Sequence, residues 1–313
     1  MDTPQRWTST RWTRIAFPTR PPVYSRNGVT IDDLIDFTPQ MREQAKSLVS
    51  KYRLGPVFTP PVISQIDGPL ATLTLGTASG GTNWPGASYD PETHIVYAFA
   101  CNACLTPLGL VQPPKDISDM NYVAGTAGQR VQMRTGPGEN AGADAPLPAR
   151  NRAPTTPGGG GGGGGGALNI DGIPLIKPPY GTISAINLDK GEMVWQIAHG
   201  ETPDIVRNHP ALKGLNIPRT GQTTYNIGTL ITKTLVIAGD GQVTTTADHP
   251  RGALLHAYDK ATGKEVGSVY LPAPQSGSPM TYMVDGKQYI VVAVSGGAYS
   301  GEYIAFTLPS EED

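Results

Sequence analysis

The spacing of apolar residues changes once along this chain. Met41, Ala45, Leu48, Val49 and Tyr52 recur at helical spacing. Thr38 is suited to cap a helix, Pro39 to occupy its first position and Gly55 to end it, so a helix is expected over 39–54. Its apolar stripe reads as a packing face. From Pro69 onward the spacing shortens. Residues 70–75 alternate in a β-prone run, and 94–100 read as a buried strand. Further strands are predicted over 182–187, 193–197, 230–238, 254–258, 265–271 and 302–308. Runs 280–284 and 287–294 flank Asp285-Gly286 with no spare residue, the pattern of a two-residue hairpin.

A repeat runs through these strands. Ala185-Ile-Asn-Leu-Asp189-Lys-Gly191 matches Ala257-Tyr-Asp259-Lys-Ala-Thr-Gly263, and Tyr89-Asp90-Pro-Glu-Thr93-His94 is a degenerate copy. In each, a strand enters a turn opened by Asp, which can cap it, and Gly supplies positive φ; His94 stands in that place in the degenerate copy. Each copy reads as one blade unit. The spacing exceeds the roughly 40–50 residues of an ordinary four-stranded blade, as long loops would require. The predicted fold is all-β: a partial β-propeller of about four blades, with one short helix in a long connection.

Residues 1–67 are expected to be an irregular connecting segment holding the helix, and 68–313 to be the blades. A Gly/Pro-rich insertion over 125–167, ending in Gly158–Gly166, is too poor in aliphatic residues to offset its ordering entropy and reads as a flexible loop. No Lys-Ser/Thr follows that run, which argues against a phosphate loop. Composition agrees with an all-β chain: 39 Gly and 30 Pro in 313 residues are turn-rich. A net charge of −2 offers no general attraction for nucleic acid. No window approaches the ~18 apolar residues of a spanning helix, and the first residues lack the apolar core of a signal peptide.

Four stretches resemble the quinoprotein dehydrogenases that depend on pyrroloquinoline quinone (PQQ), glucose-dehydrogenase-like in type. They are 27–61, 80–93 with Gly81-Thr82-Asn83-Trp84, the blade repeat, and 277–297 with Met280-Thr281-Tyr282 and Gly286-Lys287-Gln288-Tyr289. The resemblance is to the C-terminal portion of such enzymes. It implies an eight-bladed propeller carrying PQQ and Ca²⁺, periplasmic, oxidising a sugar or alcohol hydroxyl by hydride transfer, with electrons passing to ubiquinone or a cytochrome. The family's catalytic Asp, its Lys on the quinone and most Ca²⁺ ligands match nothing here. The chain is therefore expected to lack the half carrying the general base and to be inactive alone. Trp195 keeps the blade-docking Trp of the family, and Gly267 replaces it in the next repeat. The rival reading is a non-catalytic propeller that scaffolds protein partners.

By resemblance, Asn83 donates to a quinone or carboxylate oxygen of the cofactor and Trp84 packs along its rings; read without the family, they are a turn Asn and a core Trp. Thr224 and Tyr225, with Asn226, stand where the family places a residue over the quinone, although the residues themselves read more simply as a solvated loop. The five histidines lack metal-ligand spacing; His199 and His209 flank what reads as an acidic surface loop with Glu201 and Asp204. Asp32, Asp33 and Asp36 read as a solvated turn. Cys101 and Cys104 read as small half-buried residues at a strand end, with a local disulfide or redox dithiol as the alternative. No Gly-x-Ser-x-Gly elbow is present.

Overall fold

A computed structural model describes residues 19–76, 81–116, 118–128, 168–224, 227–246, 248–249, 251–296 and 299–308. Tyr225, and all of the predicted insertion after Gly128 (including Gly158–Gly166), lie outside them. Strands β1 to β17 are numbered in chain order and group into four sheets and a ribbon. The first sheet joins β1 (Val62–Ile63), β2 (Thr72–Leu75), β5 (Leu105–Val111) and β6 (Val123–Ala124); β1 runs parallel to β5. The second runs β10 (Glu192–Ala198), β9 (Gly181–Asn187), β4 (Ile95–Cys101), β3 (Ala87–Asp90). The third runs β11 (Leu230–Ile231), β12 (Leu235–Gly239), β13 (Ala253–Asp259), β14 (Glu265–Leu271). The last holds β15 (Met280–Val284), β16 (Lys287–Gly296) and β17 (Tyr299–Thr307). The ribbon pairs β7 (Asn169–Ile170) with β8 (Ile173–Pro174). Consecutive antiparallel sheets of this kind are blades of a partial β-propeller, and they do not close into a ring among the described residues.

The second, third and fourth sheets stack through their apolar faces, whereas Leu73 and Leu75 of the first pack with Met41, Ala45 and Val49 and with Ile170 and Ile173 of the ribbon. Tyr97, Phe99 and Ile183 of the second sheet pack with Val236, Ala238 and Tyr258 of the third. Ile237, Leu255 and Leu271 of the third pack with Val292 and Val294 of the fourth. Trp195 on β10 reaches across the first interface: its indole Nε1 donates to the Lys260 carbonyl at 3.1 Å and its ring lies 5.6 Å from that of Tyr97. Gly263 makes this approach feasible. Its φ is +72°, and a Cβ there would sit 2.8 Å from the Trp195 ring. Gly267 meets nothing that a Cβ would touch, and no docking residue stands in its place.

Helix α1 (Pro39–Val49) is capped by the Thr38 hydroxyl, which accepts from the Met41 N–H at 3.2 Å, and buries Met41, Ala45 and Val49. It stops short of the expected 39–54. Arg53 N–H donates to Ala71, and Gly55 exchanges both backbone bonds with Val29. Tertiary bridges have taken the groups that a longer helix would need. A second helical turn, α2 (Asp204–Arg207), lies in the stretch read as loop. The run 230–238 is two strands rather than one, because Thr232 accepts the Leu235 N–H on its hydroxyl and closes a tight hairpin.

The repeat gives a further correction. The Asp90 and Asp189 turns, expected to mark separate blades, belong to one: β4 pairs with β9 across the whole excursion between them. The turns then lie side by side, with His94 Nδ1 2.9 Å from Asp189. His94, Gly191 and Gly263 all have positive φ, as the repeat predicts. Asp90 and Asp259 cap their turns, whereas Asn187 does so beside Asp189. Asp33 accepts the Thr30 N–H and hydroxyl in an exposed turn, in line with the reading of that cluster as a solvated turn.

Candidate functional site

Three lead-in segments converge where the inner strands β3, β11 and β15 begin. Ser88 Oγ donates to the Thr229 carbonyl at 2.5 Å. Gly228 N–H donates to Gly277 at 3.0 Å, with a parallel bridge between Ile227 and Gly277. Ser278 Oγ donates to the Pro85 carbonyl at 3.2 Å, closing the set. Gln275 is buried among them: Nε2 donates to Gly228 and Gly277, and Oε1 accepts from Gly239.

Asn83 and Trp84 stand on the first lead-in. Asn83 Oδ1 accepts the Trp84 N–H at 2.9 Å and its carbonyl accepts the Gly86 N–H, so it is the turn former that its sequence context implies. Its Nδ2 has no partner among the described residues. Trp84 is not a core residue; it is 92% exposed and presents a free aromatic face. Thr224, on the second lead-in, is buried rather than part of a solvated loop. A Cβ on Gly241 would come within 2.5 Å of its side chain, so only glycine allows these segments to touch.

Cys101 and Cys104 form a disulfide and both are buried, against the half-buried reading. The four-residue bridge links the first two lead-ins. Cys101 N–H donates to Gly81 at 2.7 Å, and the Cys104 sulfur lies 3.8 Å from the Thr224 carbonyl oxygen. Asn102 inside the loop accepts from the Arg26 N–H and donates to Thr182. The lead-ins bearing Asn83-Trp84 and Thr224 are therefore tied to one bridge, through Gly81 and the Thr224 carbonyl.

Beside Thr224 lies a group that the pattern of polar residues did not reveal. Gln222 is buried; Oε1 accepts the Gly241 and Gln242 N–H groups at 3.0 and 2.9 Å, and Nε2 has no partner among the described residues. A buried unpaired amide donor costs about 1–3 kcal/mol unless something accepts from it. PQQ, a planar quinone bearing three carboxylates, offers acceptor oxygens and a flat face, which fits the donor and aromatic set of Asn83, Gln222 and Trp84. Among the described residues no group of three or more His, Cys, Asp or Glu side chains is close enough to hold an ion.

Beyond these lead-ins lies a charged cluster. His199, expected on a surface loop, is buried; Nδ1 pairs with the Tyr258 hydroxyl at 2.9 Å and Nε2 with the Gly239 carbonyl at 3.0 Å. Burial, reinforced by the nearby His256, lowers its pKa to about 4. His256 lies between Asp240 (Nε2, 3.2 Å) and Glu265 (Nδ1, 3.0 Å). Burial alone would lower its pKa, but the two carboxylates raise it to about 9. Burial would raise Glu265, yet His256 and Arg219 hold it near 2. Arg219 also binds Glu201. One sequence signal could have found His256: a lone His within the apolar run Leu254-Leu-His-Ala-Tyr258 needs buried partners. A separate cavity of about 610 Å³ lies against α2, lined by Arg207, Arg219, Glu201 and aliphatic residues; none of Asn83, Trp84 and Thr224 lines it.

Consecutive sheets stacked in this way define the class as a β-propeller. The PQQ family model, described as "Glucose/ethanol/alcohol dehydrogenase, beta-propeller domain", matches residues 4–290. The chain belongs to this family. It is 29% identical over 308 residues to a probable quinate dehydrogenase (quinone) of Xanthomonas campestris pv. juglandis, covering 93% of this chain and 34% of the relative. It is 28% identical to the quinate/shikimate dehydrogenase (quinone) of Acinetobacter baylyi, covering 87% and 30%. It is 26% identical to a quinoprotein glucose dehydrogenase of Escherichia coli, covering 82% and 28%. The chain thus spans about a third of the length of these relatives.

Proposed function

We propose that this chain supplies one cofactor-contacting face of a PQQ-dependent dehydrogenase that oxidises a hydroxyl of a sugar, alcohol or related polyol. The observation that supports the reading is the placement of Asn83-Trp84 and Gln222–Thr224 on lead-ins tied to the Cys101–Cys104 bridge, with two amide donors lacking a protein partner among the described residues and a bare indole. When bound, PQQ supplies an electrophilic quinone able to take a hydride. Asn83 Nδ2 and Gln222 Nε2 would hold its oxygens as donors, and Trp84 would lie against a ring face and exclude water from it. Thr224 shapes the floor against Gly241. Tyr225 retains its proposed role beside Thr224 from the family resemblance alone.

No side chain here is assigned as general base, and none as a Ca²⁺ ligand. Turnover is proposed to need residues beyond those of this chain, because the relatives it matches are about three times longer. Electrons are proposed to leave to a quinone or cytochrome; two of the relatives carry "(quinone)" in their names. A periplasmic setting is supported by the buried Cys101–Cys104 disulfide, since such bonds persist in oxidising compartments. The unpaired donor of buried Gln222 and the exposed Trp84 favour this reading over a protein scaffold, which has no use for an unpaired buried amide.

Titrating the chain with PQQ in the presence of Ca²⁺, followed by tryptophan fluorescence, tests it. Saturable quenching is expected, with most of the signal lost in Trp84→Phe and roughly tenfold weaker binding in Asn83→Ala, the loss of one charge-assisted hydrogen bond. No quenching of a folded chain, or unchanged affinity in Asn83→Ala, would remove the assignment.

A further inference from the structure

We infer that His256 is a positioning residue for the cofactor face: clamped between Asp240 and Glu265, it fixes the turn from which the Gln222–Thr224 segment hangs. The inference rests on the cofactor reading above for what that segment touches.

The path runs through named contacts. Both imidazole nitrogens face carboxylates, so both donate and the ring is a cation. Asp240 is fully buried and uses its remaining acceptor sites on backbone: Oδ1 accepts the Glu201 N–H and Oδ2 the Leu254 N–H, each at 3.0 Å. Its own backbone is tied at both ends, the N–H to Leu254 and the carbonyl to the Gln275 N–H. The next two residues hold the segment. Gly241 and Gln242 both donate N–H to Gln222 Oε1, and Gln242 Nε2 donates to the Thr223 carbonyl at 2.6 Å. Asp240 thus joins the second and third lead-ins, and His256 supplies the positive charge that makes a buried carboxylate tolerable there.

The groups facing His256 come from every element around it. They are Asp240 at the end of β12, Tyr258 on its own strand, Glu265 on β14, and His199 just beyond β10, its ring centroid 5.7 Å away. Arg219 and Glu201 extend the cluster from the loop through Glu265. His199 is neutral at ordinary pH and Arg219 is committed to its two glutamates, so loss of the His256 proton leaves Asp240 buried without a cation on it. The Asp240–Gln242 turn then loosens, and the Gln222–Thr224 segment with it.

The test uses the full chain, with PQQ as probe and hydrogen exchange of peptides spanning 221–242 as an independent readout. In wild type, PQQ affinity is expected to fall at least tenfold between pH 7 and pH 10, with a midpoint near 9. His256→Asn is expected to bind weakly at every pH and to take up more deuterium over 221–242 at pH 7. His256→Arg, a permanent cation, is expected in folded protein to bind more tightly than His256→Asn at pH 7 and to keep that affinity at pH 10. Unchanged uptake over 221–242 in folded His256→Asn overturns the inference, as does a flat wild-type pH profile. No quenching by PQQ in wild type, with uptake still responding to His256→Asn, discards the cofactor reading and leaves the positioning role standing.

Discussion

At the scale of single residues, the repeat works through backbone conformation. His94, Gly191 and Gly263 all occupy the left-handed region after an Asp-opened turn; a Cβ on Gly191 would lie 3.1 Å from Arg20, and one on Gly263 closer still, 2.8 Å from the Trp195 ring. Gly263→Ala therefore meets two penalties: the left-handed strain of a Cβ, and a collision with the Trp195 ring at 2.8 Å. We expect it to lower the free energy of unfolding by about 2–4 kcal/mol, read from denaturant melts. Gly267→Ala, where a Cβ meets nothing, serves as the control and should change stability little. The turn that Asn83 forms is legible in the sequence because its motif is local. Gln222 is not, because its unpaired amide exists only once Gly241 and Gln242 have engaged its oxygen.

At the scale of elements, turns are read more securely than ends. The Asp285-Gly286 hairpin forms as its residues require, with φ of +48° and +76°. The helix does not reach Leu54, because Val29 and Ala71 compete for the backbone groups of Arg53 and Gly55. The Cys101–Cys104 bridge is an element of its own, holding the end of β4 against Gly81 and Thr224. Chain-entropy arguments for so short a loop give about 2 kcal/mol. The double variant Cys101→Ser/Cys104→Ser should lose that much in a melt. It should also bind PQQ more weakly than its stability loss alone explains, since two lead-ins lose their tie. Wild type treated with reductant at the same denaturant concentrations should match the variant in stability.

At the scale of the whole molecule, the buried histidines set the pH dependence of stability. His256 is raised from 6.5 to about 9, so its contribution is complete below pH 6.5 and is lost as pH rises through 9. His199 is lowered to about 4, so folding favours its neutral form; that contribution is complete above pH 6.5 and is lost as pH falls through 4. Glu265, held near 2, contributes above pH 4.5 and is lost as pH falls through 2. The chain should therefore be most stable near pH 6.5, with the melting temperature falling on both sides. In His256→Asn the alkaline fall should disappear and the acidic one remain.

The sequence by itself determined strands such as β4, β9, β10, β13, β14 and β15 to β17, the positive-φ turns of the repeat and the propeller class, but not β5 or the β7–β8 ribbon. These follow from alternation and from φ restrictions acting between near neighbours, which a linear pattern carries. Tertiary structure alone decided that the Asp90 and Asp189 repeats share one blade, that His199 and His256 are buried, that Cys101 bonds Cys104 and that Trp84 stays exposed. Those outcomes depend on β4 choosing β9 across the 79 residues between Cys101 and Gly181, and on which polar atoms find partners once blades stack. Long-range pairing is selected by burial and hydrogen-bond satisfaction of the assembled sheets, quantities that have no value until the chain has folded.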